Sequence, residues 1–95
     1  MIREISWIYG EWHMWVNHGV DLQAAGEVVE DPNALLFYPD PKSQSGRSAR
    51  LIGYSPSLYA VIVLILVPKI NGGWWGVNGW RANSTDRRIY REGAS

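Results

Sequence analysis

The sequence predicts one α+β domain over residues 1–95, in which two N-terminal helices precede an antiparallel sheet of about four strands and a C-terminal helix closes the chain. Three observations predict it. Apolar residues recur at helical spacing as far as Pro32, the period then shortens to that of strands punctuated by Pro and Gly, and a capping pattern opens an arginine-rich final segment. With 95 residues there is chain enough for one hydrophobic core.

Ile8, Trp12, Trp15 and Val16 fall at i, i+4, i+7 and i+8, the spacing of one helical face, and Gly19 after His18 offers a left-handed stop. On this reading Trp7, Trp12 and Trp15 pack the first helix on the sheet. Asp21 caps a second helix whose Leu22, Ala25, Val28 and Val29 share a side, leaving Glu27, Glu30 and Asp31 for solvent until Pro32 interrupts. NALLFYPD is short, apolar and bounded by prolines, which predicts a strand, and PKSQSGRS reads as a flexible loop. RLIGYS is the next strand, turned at Ser55-Pro56-Ser57 into LYAVIVLILV, whose β-branched residues on both faces predict the central strand. Pro68 ends it. Asn71-Gly72-Gly73 turns into WWGVNGW, a strand whose glycines imply a bulge or a close backbone approach. These connections are too short for crossovers, so the sheet is expected to be antiparallel throughout. Asn83 with Asp86 three residues on resembles a capping box, placing the closing helix from Ser84 to Gly93.

The absence of cysteine removes disulfides and thiolate zinc sites, and His13 and His18, five apart, would sit on different faces of a helix, against a shared metal. No cofactor motif is present, and neither a nucleophile elbow nor a phosphate loop appears. The segment from Met1 to Gly10 lacks the apolar core of a secretory signal, and the longest apolar run, Tyr59 to Val67, is well short of the roughly 20 residues that cross a bilayer. A cytoplasmic protein without a membrane partner is expected.

Net charge is zero but unevenly laid out: Met1–Asp40 holds one cation against seven carboxylates, Pro41–Ser95 eight cations against two. Either the second half offers a cationic surface to a polyanion, or the halves neutralise one another across their interface. Arg47, Arg50, Arg81, Arg87, Arg88 and Arg91 are the candidate phosphate-binding groups, with Arg87 and Arg91 one turn apart; the competing reading of the last three is a solvated helix face. Trp74, Trp75 and Trp80 flank glycines near a strand end, where an indole can stack on a base or anchor a protein. His18 at a helix end is the candidate acid or base.

Taken in order, these segments resemble one family. NHGVDLQAAGEVVEDPNALLF, RSARLIGYS and NGWRANSTDRRIYREG are similar to the HGV, RxxxIGxS and SARxATxxERRxY segments of BrnT-type toxins, RelE/ParE-like partners of ribbon-helix-helix antitoxins. The resemblance implies a RelE/ParE-like fold and a bacterial type II toxin that acts on RNA as a metal-independent ribonuclease and is neutralised by its antitoxin. It also implies catalytic roles for His18, Arg50, Arg87 and Tyr90 and a place for Arg88; Arg81 is the catalytic candidate in place of the arginine that Trp80 replaces, and Arg47, Arg88, Arg91 and Trp80 are the candidate RNA contacts. Asn17 and Trp80 replace the family's Lys and Arg, and Asn83 its Thr. A member of the fold with weak or no catalysis, serving as a protein-binding module, is the alternative.

Overall fold

The structure, a computed structural model, describes residues 4–94; Arg3, counted above among the cations, lies outside them. The chain is α+β. In order it forms β1 (Ile5–Ser6), α1 (Glu11–His18), α2 (Leu22–Glu30), β2 (Leu35–Phe37), β3 (Ala49–Ser55), β4 (Ala60–Pro68), β5 (Trp74–Arg81) and α3 (Ser84–Ala94). The five strands make one sheet in the order β1-β5-β4-β3-β2, with β4 central as its apolar run predicts. The sheet is mixed rather than wholly antiparallel, because Ile5 and Ser6 pair parallel with Trp74 and Trp75 of β5. A strand of two residues carries no readable period, so β1 leaves no pattern in the sequence.

Caps and breakers act where the residue types place them. The Asp21 carboxylate accepts the Ala24 N–H at 2.9 Å, Asn83 Oδ1 accepts the Asp86 N–H at 2.9 Å, and β4 ends on Pro68. The glycine-rich β5 is bulged: Leu66 pairs with Gly76 but Ile65 with Asn78, so Val77 is the extra residue. Asp86 departs from the capping-box pattern, since its carboxylate turns to Arg50. The predicted strand 33–40 contracts to Leu35–Phe37, and the loop after it is anchored, Asp40 N donating to Ser48 O at 2.7 Å.

Helices cover both faces of the sheet. On one face Leu51, Ile62, Leu64 and Leu66 pack against Met14 and Val20 and against Ala24, Ala25 and Val28 of α2. On the other, Ile52, Val63 and Ala82 meet Ile89 and Tyr90 of α3. The acidic helical layer and the arginine-bearing helix are thereby held on opposite sides. Among the described residues no helix is long and apolar enough to cross a membrane.

The orientation of α1 differs from its amphipathic pattern. Trp12 is 75% exposed, Ile8 74%, Trp15 54% and Val16 53%, whereas Met14 is fully buried. The reason lies in β5. A Cβ at Gly79 would stand 2.7 Å from Met14 Sδ, and one at Gly76 would overlap the Trp7 ring, so the glycine stripe admits Met14 and Trp7 and fixes the helix by that edge. Trp7 packs as predicted; Trp12 and Trp15 do not. In α2, similarly, Ala24 is buried and Leu22 is 42% exposed, because the small residues allow the helix to lie close on β3. Of the carboxylates assigned to solvent, Glu30 is exposed, whereas Glu27 and Asp31 are engaged. Glu27 Oε1 accepts from Ser55 Oγ at 2.7 Å and from Ser57 N at 3.0 Å, which ties α2 to the β3–β4 turn.

Candidate nucleic-acid interface

Strand alternation sends Ala49 and Leu51 toward α1 and α2, and Arg50 and Ile52 toward α3. Arg50 is therefore drawn under the edge of α3, where it is only 8% exposed. Its Nε donates to Asp40 Oδ1 at 3.1 Å and its Nη1 to Asp86 Oδ2 at 3.1 Å. A guanidinium held by two buried carboxylates is not an open phosphate clamp, which corrects the expectation for this residue. It joins β3, the loop after β2 and α3 into one unit. Asp40 belongs to the acidic half of the sequence, so here the two halves do neutralise each other. Neither Asp40 nor Asp86 was singled out as an Arg50 partner, although an arginine in an apolar strand requires an anion nearby.

Beside that triad lies an aromatic pair. The Arg50 Cζ is 5.7 Å from the Trp80 ring centroid, and the Trp80 ring is 5.9 Å from that of His18. His18 reaches it from the last turn of α1, which Gly19 ends at φ 66°. The two histidines are not separated as their spacing suggests: their rings stand 6.2 Å apart, edge to face. Helical side chains lean toward the N-terminus, so the last-turn imidazole of His18 leans back over the preceding turn. The Asn17 amide lies 3.0 Å from His13 Nδ1. Both histidines are exposed.

Next to Trp80, where α3 leaves the sheet uncovered, a groove of about 510 Å³ is lined by Ile65, Val67, Asn78, Trp80 and Arg50, together with Asp40, Lys42 and the loop serines Ser43, Ser45 and Ser48. Its lining thus joins aliphatic side chains and an indole to two cations and the Asp40 carboxylate. Arg47 is exposed in that loop, its N–H donating to Ser45 Oγ at 3.2 Å.

The remaining cations divide. Arg88 and Arg91 are exposed on the outer side of α3, with Arg87, whose Nη1 donates to Ala82 O at 2.9 Å. Arg81 follows Trp80 in β5 and so projects to the opposite face, where its Nη1 meets Leu58 O at 3.4 Å. It does not join the α3 arginines. Tyr90 Oη donates to Asp31 Oδ2 at 2.7 Å, and Asp31 also accepts the Tyr54 N–H at 2.8 Å. Burial, the hydrogen bond and the Asp31 charge push the Tyr90 phenol up to about 12. Burial works against the Asp31 carboxylate, yet the bonds from Tyr90, Tyr54 and Asn33 outweigh it and hold the group below its ordinary range. Tyr90 thus keeps its proton near neutral pH and pins α3 to the end of α2, a structural placement rather than an open catalytic one.

Among the described residues no three His, Asp or Glu side chains converge as a metal site. The geometry brings the exposed imidazole pair of α1 up to the indole of Trp80, which lies on the sheet face that α3 covers. No protein-family model matches this chain, and no curated protein matches it.

Proposed function

We propose that the chain is a BrnT-type toxin of a type II toxin–antitoxin pair, RelE/ParE-like in fold, cleaving RNA in the cytoplasm without a metal and neutralised by a ribbon-helix-helix antitoxin. One observation carries the reading. His18, Arg50 and the pair Trp80 and Asp86 belong to three separate motif segments, yet the four side chains form one continuous contact chain running from α1 past β5 to β3 and α3. Structural arginines need carboxylates, but they do not need an exposed imidazole and a half-buried indole in line with them.

The chemistry such a site performs is transesterification at phosphorus. His18 removes the proton of a ribose 2′-hydroxyl, the oxygen attacks phosphorus, and the P–O5′ bond breaks to leave a 2′,3′-cyclic phosphate. The departing 5′-oxygen takes a proton from the second imidazole, that of His13. A base lies in the groove against Trp80, and Lys42 in its lining, Arg47 in the neighbouring loop and Arg87, Arg88 and Arg91 on α3 hold the flanking phosphates. Arg50 keeps Trp80 in place through its two carboxylates, and so acts by positioning.

Expression of the chain alone, scoring growth and total RNA integrity, tests the reading. Growth arrest with RNA fragmentation is expected, abolished by His18→Ala and weakened by Arg88→Ala. Arrest that persists undiminished in His18→Ala contradicts it. The alternative, a non-catalytic protein-binding module, is favoured by the exposed indoles of Trp12 and Trp15; it predicts intact RNA and normal growth.

A further inference from the structure

The outward side of α1 is an apolar surface left exposed among the described residues. Ile8, Trp12 and Trp15 line an open groove of about 620 Å³, with Glu11 and Asp21 at its edge, and Val16 extends the apolar strip along the helix. Exposed tryptophans at helical spacing are expensive to leave in water and are the residues that anchor interfaces. Charge then narrows what can cover them. Between Glu4 and Asp40 there are seven carboxylates and no lysine or arginine. Among the described residues neither Glu11 nor Asp21 forms an ion pair with a cation. The groove is therefore an apolar slot flanked by two carboxylates.

We propose that this face docks a basic amphipathic helix, a protein segment presenting large apolar residues at i, i+3 or i+4 and i+7 with Lys and Arg on the flanks. An anionic membrane or RNA carries apolar or aromatic groups but is repelled by the rim carboxylates. A second copy of this chain has cations to offer on α3, but its outward residues there, among them Ser84, Thr85, Arg88 and Arg91, supply no apolar knobs for the slot. A basic helix meets both requirements at once. The inference is independent of any action on RNA.

The test titrates the whole chain with a labelled amphipathic Leu/Lys helix of about 16 residues, its Leu/Glu counterpart, and anionic phospholipid vesicles, following anisotropy and light scattering. The Leu/Lys helix is expected to bind, about tenfold more weakly to Trp12→Ser or Trp15→Ser, and about tenfold more weakly to Glu11→Lys at low salt only. Circular dichroism should be unchanged in all three, because each side chain is exposed. The proposal is overturned if the Leu/Glu helix binds as well or the tryptophan variants bind unchanged. Preferential binding of vesicles, or self-association through Trp12 with no peptide bound, overturns it equally.

Discussion

Arg50, Asp40 and Asp86 form a buried triad in which one cation faces two anions. Burying charge is tolerated only while every partner is present, because the lost hydration is replaced by the partners alone. Arg50→Ala is therefore expected to lower stability by about 3–5 kcal/mol, measured as a shift of the urea midpoint at constant slope. Arg50→Lys should recover little of it, since an ammonium cannot offer two divergent donors to two carboxylates. Any loss of the proposed growth arrest in Arg50→Ala is thus expected to accompany unfolding and speaks less directly to chemistry than His18→Ala. A gentler case is Tyr90 with Asp31. The folded Asp31 carboxylate is held below its ordinary range, so its contribution is present above the unfolded value near pH 4 and is lost as pH falls through the lower, folded one. Tyr90→Phe should cost about 1 kcal/mol at pH 7, reduced from a fully buried charged bond by partial exposure. The difference should shrink at pH 3, as equilibrium unfolding at the two pH values would show.

Elements were legible where a residue type forces a backbone event. Asp21 and Asn83 cap helices, Pro68 ends the central strand, and the glycines of β5 mark its bulge and the close approach of α1. The helical stripe of α1 misled because periodicity reports that a helix has an apolar side, not that the fold covers that side. Met14 buries into a glycine-floored notch, and a single side chain over Gly79 outweighs four apolar residues that stay exposed among the described residues. Two measurements separate these accounts. Trp12→Ser should change stability by less than about 0.5 kcal/mol, as at any exposed site. Gly79→Ala should destabilise by about 1–3 kcal/mol, since its new methyl must displace Met14 Sδ. The site was legible only in part for a related reason: His18, Trp80 and the α3 arginines are surface groups whose type suggests a role, whereas the partners Asp40, Asp86 and Asp31 are defined by long-range packing that no local pattern encodes.

At the scale of the molecule the sheet separates charge. The acidic α1 and α2 lie on one face and the arginines of α3 on the other, with the Arg50 triad as the place where the two halves meet. A chain of zero net charge can on this plan attract a polyanion to one side while holding a basic segment on the other. RNA affinity should then fall steeply with salt, and Arg88→Ala should reduce the slope of log K against log salt by about 0.7, the contribution of one phosphate on a single strand. Trp80→Ala should weaken binding by about 1–3 kcal/mol, the scale of one base stack, and leave that slope unchanged. Most direct is the reaction itself, run with purified chain on a single-stranded RNA in excess chelator and read by the chemistry of the new ends. The account predicts 2′,3′-cyclic phosphates and 5′-hydroxyls, lost in a folded His18→Ala; RNA left whole by the unaltered chain, or cut equally well by His18→Ala, would contradict it.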